Sequence, residues 1–416
     1  MARIFVVSNA AMSDEESNGR VLNNLLKKEG NSFLNFCIRG VESSHCQIDF
    51  IKVTDHDAFK AFVTLGIKKP QINQERVSSS QPSSGGSKKR KTAFSYLLRN
   101  IVWKSRFYSS KKLKQKINDF NPEVVFLMAA DAPFLYKIAT KEAKKRNVPL
   151  IIYSAEDYPL KKYDYLKQKT KAGLNMKIVL RQLRKAAKKA YQLSSANIFN
   201  TEELMNAYVD NGFCKKEDCS IVSIPSVLEK SAGSGTNKQI TYAGNLIKER
   251  CQSLLDVADV LKEIDSSYKL VLYGQIVDEE FKEPLLNHPM IDYRGVIAYQ
   301  QLVKEIKESE FLIHVEGFSQ YNKLDLQYSF STKIADYLML GIPTIVYGPE
   351  EITSIKYLNG VVPNFVITKK EYLKDSIGLI LKHHFAFDPS YEKINEQFSL
   401  ASVQEKINKI IQPKTK

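Results

Sequence analysis

Ser331-Thr-Lys-Ile-Ala-Asp-Tyr-Leu-Met-Leu-Gly-Ile-Pro-Thr-Ile-Val-Tyr-Gly348 holds a cap, an amphipathic helix, a stop and a buried strand in one run. Ser331 and Thr332 are favourable N-cap residues, and Ile334, Tyr337, Leu338 and Leu340 recur at helical spacing. Gly341 supplies a left-handed C-cap and Pro343 forbids continuation, so the chain drops into a strand over 344–347. A helix that starts just past a strand's C-terminal end aims its free N–H groups at the crevice where doubly wound sheets hold ligands. With Lys333 in that first turn the place suits a phosphate. The same spacing also fits an ordinary helix–strand unit with a solvated lysine.

Working outward, apolar runs and helical patterns alternate along the whole chain, as parallel α/β folds require. Strands are expected at 3–8, 32–38, 47–53, 124–128, 149–153, 196–200 and 220–224 in the first half. In the second half they are expected at 239–243, 269–273, 291–296, 311–315, 344–347 and 364–367. The start, Met1-Ala-Arg-Ile-Phe-Val-Val-Ser8, reads as a strand rather than a signal peptide, and a polar loop, Gly19 and a helix with Val21, Leu22, Leu25 and Leu26 follow. The Gly- and Ser-rich stretch 231–237 reads as a domain linker. The expected domains are 1–230 and 239–385, with helices in 386–416 packing back on the first; two such domains imply a ligand cleft between them.

At 416 residues the chain is too long for a single core. The five cysteines (Cys37, Cys46, Cys214, Cys219, Cys251) contain no C-x-x-C pair, which argues against a structural zinc site and suits a reducing cytoplasm. No apolar run is long enough to span a bilayer. A G-x-G-x-x-G fingerprint is absent, which speaks against a nicotinamide or flavin enzyme. The formal net charge of +15 points to an anionic partner.

That charge is concentrated. A flexible loop, 78–87, leads into 88–116, which holds 11 Lys/Arg, no acid, and the chain's only Trp. Cations mixed with aromatics on a helix suit the headgroup layer of an anionic membrane, or a basic helix that merely covers its domain; the Trp favours the membrane. A second segment, 161–192, sets 11 Lys/Arg against Asp164 alone. Nucleic acid also fits the charge, but no recognisable nucleic-acid module is present. Between the basic segments, Glu156 and Asp157 follow a strand end, as acceptor-positioning carboxylates or as ordinary turn residues.

Five motifs in order carry a family resemblance: Gly244-Asn-Leu-Ile-Lys-Glu-Arg250, Val271-Leu-Tyr-Gly274, Tyr293-Arg-Gly-Val296, Glu316-Gly-Phe318 and the stretch 331–343. Together they resemble the nucleotide-sugar half of GT-B glycosyltransferases, family 4 type, of bacterial capsule and exopolysaccharide synthesis. The match covers about 240–350; in the first half only element order, the Gly19 loop and the Asn200-Thr201 turn agree.

The resemblance implies two Rossmann-like α/β domains facing a cleft and C-terminal helices crossing back to the first. It implies a retaining sugar transfer from a nucleoside diphosphate sugar to a lipid-linked or oligosaccharide acceptor at the cytoplasmic membrane face. No cofactor or metal is needed. In the family an Arg beside the loop Gly and a Lys five residues on clasp the diphosphate; here Asn245 replaces the Arg and Arg250 holds the Lys place. Lys333 or Lys248 is expected to compensate. Asp336 stands where a Glu would bind the ribose, and Tyr328 where its partner Glu would be. Glu316 is expected at the donor sugar, the main chain of Val296 and Ile297 at the base, and Gly244, Ser331 and Thr332 around the phosphates. Arg250 and Lys333 would stabilise the leaving group, with Glu156 or Asp157 at the acceptor hydroxyl. The departures from the motif also fit a catalytically silent GT-B subunit that stabilises or targets a partner transferase.

Overall fold

The computed structural model describes residues 2–14, 17–27, 30–40, 48–70, 91–231, 235, 237–361, 364–382 and 391–412. The expected flexible loop 78–87, the start of the basic segment, Cys46 and part of the 231–237 stretch lie outside the described residues.

The chain forms two compact units, Met1–Ile224 with Val403–Lys416, and Pro225–Ser402. The first is built on seven strands: β1 (Arg3–Val7), β2 (Ser32–Cys37), β3 (Ile48–Lys52), β4 (Val124–Met128), β5 (Leu150–Ser154), β6 (Ala196–Phe199) and β7 (Cys219–Ile221). All pairings are parallel, in the order β3-β2-β1-β4-β5-β6-β7. The second has six: β8 (Gln239–Ala243), β9 (Lys269–Tyr273), β10 (Ile291–Gly295), β11 (Phe311–Val315), β12 (Thr344–Tyr347) and β13 (Asn364–Ile367). These are also parallel, ordered β10-β9-β8-β11-β12-β13.

Central strands are continuous apolar runs because helices cover both faces of a parallel sheet. Residues 311–315 are all buried, His314 among them. Each sheet reverses its winding once, between β1 and β4 in the first and between β8 and β11 in the second. Such switch points leave a crevice at the carboxyl ends of the strands.

The last two helices part company. Tyr391–Phe398 places Ile394 and Phe398 in a core with Phe330, Ile334 and Leu338 of the second unit. Leu400–Ile411 places Val403, Ile407 and Ile411 in the core of the first, with Ile4, Val6 and Leu22. The stretch read as a linker is fastened along the second unit where it is described: Ser231 N donates to Leu340 O and Gly235 N to Ser309 O, each at 2.9 Å, and just before it Ser226 N donates to Phe398 O at 2.9 Å.

The basic segment forms two helices, Ala93–Ser105 and Lys111–Phe120, broken where Arg106 turns left-handed at φ +61°. Trp103, expected to face a membrane, is instead 2% exposed. It stacks on Phe134 at 4.0 Å between ring centroids, and its indole N–H donates to Asp55 at 2.8 Å. The helix is apolar on nearly every side, so its sequence does not say which side is inside. Phe94, Leu98 and Ile101 are its large apolar residues left exposed.

Candidate functional site

The switch point of the second sheet gathers the turns that follow β8, β9 and β11. Gly244 and Gly274 hold φ of +153° and +138°, which side-chain-bearing residues rarely adopt. A Cβ on Gly274 would stand 1.9 Å from the Gly244 carbonyl oxygen, so the two turns meet backbone to backbone. Beyond Gly244 the chain enters the helix Lys248–Ile264. Ile247 caps it with no side-chain hydrogen bond, so no capping signature marked the start. Arg250 therefore lies in a helical first turn, not in a loop.

Its guanidinium forks onto Glu316, Nε to Oε2 at 2.9 Å and Nη2 to Oε1 at 2.6 Å. Glu316, only 2% exposed, directly follows β11. Its N–H donates to Tyr347 O at 3.0 Å and its carbonyl accepts from Ser253 Oγ at 3.0 Å, so main chain and side chain are both fixed. The carboxylate expected at the donor sugar is thus engaged by Arg250. Burial works against the charge on Arg250, but Glu316 and Tyr242 outweigh it and raise its pKa further.

Lys333 enters from the helix Thr332–Leu340, its Nζ 4.0 Å from the centroid of the Tyr242 ring. A Cβ on Gly244 would approach that Nζ to 3.2 Å. The ammonium is shielded from solvent and has no hydrogen-bond partner. Burial, then Arg250, hold its pKa well below the usual lysine value, against the pull of Glu316. His314 stands beside it with both ring nitrogens unpartnered, Nε2 3.7 Å from Glu316 Oε1. Burial first, then Lys333 and Arg250, push its pKa well below 6.5, so the ring is neutral.

Ser331 is the N-cap, as expected, but its side chain makes no capping bond; Thr332 beside it is exposed. Gly341 closes the helix at φ +69°. The site thus combines an orphaned ammonium, a forked guanidinium and a helix N-terminus without a side-chain cap. That surplus of donors suits an anion with several oxygens.

Around it, Asn245 is exposed and its carbonyl accepts from Tyr242 Oη at 3.1 Å. Val296, 73% exposed, and half-buried Ile297 follow β10. Asp336 accepts from Ser226 Oγ at 2.5 Å and from Tyr299 Oη at 3.2 Å. Tyr299 thereby ties the helix of Asp336 to the segment after β10. Sequence reasoning missed Tyr242, Ser226 and Tyr299; only the place of Tyr242 near a strand's C-terminal end hinted at a role. The side chain of Lys248 lies outside the described residues.

Gly19, Glu156 and Asp157 belong to the first unit. A Cβ on Gly19 would come within 2.4 Å of the Ala11 carbonyl, so this glycine lets its helix close on the loop after β1. Asp157 is buried and ion-paired with buried Lys161 at 2.9 Å, which fits a structural pair better than a base for an acceptor. Glu156 is half-buried, its carbonyl accepting from Tyr208 Oη at 3.0 Å. The chain's Asp-x-Asp triplet, Asp55-His56-Asp57, serves the fold: Asp57 completes a capping box with Thr54, and Asp55 accepts from Arg99 and Trp103.

No protein-family model and no curated protein matches the sequence. Solved structures do match along essentially the whole chain. Anabaena Alr3699/HepE in complex with UDP and glucose aligns over 99% of both chains at 12% identity, with a TM-score of 0.60. TarM aligns over 99% of both at 10% identity and a TM-score of 0.58. The UDP-forming α,α-trehalose-phosphate synthase of Burkholderia xenovorans, in complex with glucose-6-phosphate, covers 99% of this chain and 100% of its own at 8% identity, TM-score 0.56. With two parallel sheets flanked by helices, the chain has the GT-B fold of these glycosyltransferases.

Proposed function

We propose that this protein is a glycosyltransferase that moves a sugar from a nucleoside diphosphate sugar to a lipid-linked or oligosaccharide acceptor in cell-surface polysaccharide synthesis. The observation that carries it is the orphaned Lys333 ammonium beside Arg250, at the N-terminus of a helix that opens onto the switch point of the second sheet. A diphosphate there supplies the acceptor that the Lys333 ammonium lacks, at a helix N-terminus without a side-chain cap. Arg250 has five N–H donors and Glu316 takes two of them, so the guanidinium retains donors for phosphate. When the bond between the anomeric carbon and the β-phosphate oxygen breaks, negative charge collects on the diphosphate. Fixed donors in a shielded place stabilise that charge without reorganising.

In this reading the main chain of Val296 and Ile297 holds the base and Asp336 the ribose hydroxyls. The family resemblance supports transfer with retention, where no side-chain base is required, and no metal is invoked. UDP sugars are the donors to test first, because the HepE structures hold UDP and UDP-glucose. No helix among the described residues is long and apolar enough to cross a membrane. Peripheral attachment at the inner face of the plasma membrane is supported by exposed Phe94, Leu98 and Ile101 on a helix flanked by cations.

A thermal-shift panel of UDP, GDP, dTDP and CMP sugars tests the donor site, followed by transfer assays with the donor that binds. The second reading, a silent subunit, is favoured by one observation: Glu316 already occupies the guanidinium fork. Donor binding without any turnover on lipid-linked or oligosaccharide acceptors would select it.

A further inference from the structure

The first unit contains a cavity of about 430 Å³ that the donor site does not use. It lies between the helices Ala93–Ser105, Lys111–Phe120 and Pro133–Arg146. Trp103, Tyr108, Leu113, Ile117, Phe134 and Ile138 make its wall apolar. Its volume falls among those of pockets that hold small organic ligands, roughly 300–1,000 Å³.

The rim is the opposite in character. Lys104, Arg106, Lys137 and Lys141 all border the cavity and are all exposed. None of them forms an ion pair among the described residues, and the acid at the rim, Glu142, is paired with Arg146. Burial, then the neighbouring cations Lys104, Arg106 and Lys185, hold the Lys137 ammonium below the usual lysine value. An apolar interior under uncompensated cations fits one chemistry, a long hydrocarbon chain ending in phosphate.

The cavity also continues an exposed apolar surface. Ile101 lines it and is 52% exposed; Leu98 and Phe94, on the same helical stripe, are 47% and 59% exposed. Leu174 and Ile178, on the helix Leu174–Tyr191 that packs against Ala93–Ser105, are exposed as well. A chain leaving a bilayer would meet this stripe before it reached the cavity.

We infer that the cavity is a binding site for a single anionic membrane lipid, its acyl or prenyl chain against Trp103 and Phe134 and its phosphate on Lys104, Arg106, Lys137 and Lys141. The inference deepens the membrane part of the reading above and rests on it for the source of the lipid.

Trp103 is the chain's only Trp, so its fluorescence reports on this cavity alone. The full-length protein is titrated with phosphatidylglycerol vesicles brominated on the acyl chains, with matching phosphatidylcholine vesicles, with farnesyl phosphate, and with inorganic phosphate. Vesicle sedimentation is measured in parallel. The expected result is saturable quenching by brominated phosphatidylglycerol and a saturable shift with farnesyl phosphate. Both should weaken at least about tenfold in Lys104→Glu/Lys137→Glu, since each cation at an anionic lipid surface contributes about fivefold. If that variant fails to fold by circular dichroism, Ile138→Phe, which fills the cavity and leaves the charges, must weaken both instead. Sedimentation with no Trp103 response in any arm overturns the lipid site and leaves the membrane reading standing. A response to farnesyl phosphate without vesicle binding keeps the site and removes the membrane reading. An equal response to inorganic phosphate, or equal quenching by phosphatidylcholine, overturns the inference.

Discussion

Arg250 and Glu316, 66 residues apart in sequence, are joined by a two-bond fork at the carboxyl end of the second sheet. The pair does two things at once. It fixes the guanidinium in the first turn of its helix, and it leaves Lys333, rather than Arg250, as the unsatisfied cation of the site. A diphosphate ligand would therefore meet one free charge and one already oriented charge.

Removing one partner of this pair is expected to cost more than removing both. Glu316→Ala leaves a charge largely shielded from water without its partner and should destabilise by about 3–5 kcal/mol. Arg250→Met/Glu316→Leu should recover most of the lost stability. Chemical denaturation of the four proteins in the cycle checks this, and near-additive single losses would mean that the fork is weak.

Lys333→Met should separate stability from binding. The folded-state pKa of Lys333 is depressed, so charging it below 10.5 opposes folding, and this penalty lessens as pH rises toward that value. The methionine variant should melt higher at neutral pH, by about 2–4 °C for each kcal/mol relieved. It should also lose nucleoside diphosphate affinity, and the alkaline rise in stability should flatten. In the wild type, diphosphate binding on the alkaline side of neutrality should take up protons. Calorimetry in buffers of different ionisation enthalpy reads that uptake.

His314 shapes the acid side by the same logic. Its folded pKa lies well below 6.5, so the unfolded chain binds the extra proton and stability falls as pH drops through about 6.5. His314→Leu should reduce that slope while leaving the melting temperature at pH 8 within a few degrees. Melting curves between pH 5 and 8 decide it, and an unchanged acid slope would contradict the neutral buried ring.

Gly274→Ala should damage the site through the backbone. Both the φ of +138° and the 1.9 Å approach to the Gly244 carbonyl forbid a Cβ, so the two turns must separate. Donor binding should be lost. Gly360→Ala is the control, because a Cβ there meets nothing closer than 3.6 Å.

Asp157→Asn should act as a structural lesion. It leaves buried Lys161 without its carboxylate and should cost about 3–5 kcal/mol, with Asp157→Asn/Lys161→Met closer to wild type. If instead stability holds and sugar transfer collapses, Asp157 belongs to the chemistry after all.

The strands were legible in the sequence because parallel strands covered by helices are largely apolar runs: 124–128, 239–243, 269–273, 311–315 and 344–347 fall where the residues say, as does the edge strand 364–367. The helix Gln320–Leu326 was not, since its sequence is mostly polar. Trp103 was placed on the wrong side because aromatic and basic residues surround its helix on every face. The candidate site was half legible. Ser331 and Lys333 announce themselves by position at a helix start, whereas Gly244 and Arg250 were found through the family resemblance. The Arg250–Glu316 fork, the Tyr242 ring under Lys333 and the grip of Ser226 and Tyr299 on Asp336 are long-range contacts that no local spacing encodes.

The central claim is that Arg250 and Lys333 hold the diphosphate of a sugar donor. Isothermal titration of UDP and UDP-glucose into the wild type, Arg250→Ala and Lys333→Met tests it most directly. Saturable binding to the wild type, weakened by about tenfold or more in each variant, is the expected result, since a charged hydrogen bond contributes about 1.5–3 kcal/mol. Wild-type binding that both variants retain at full strength would contradict it.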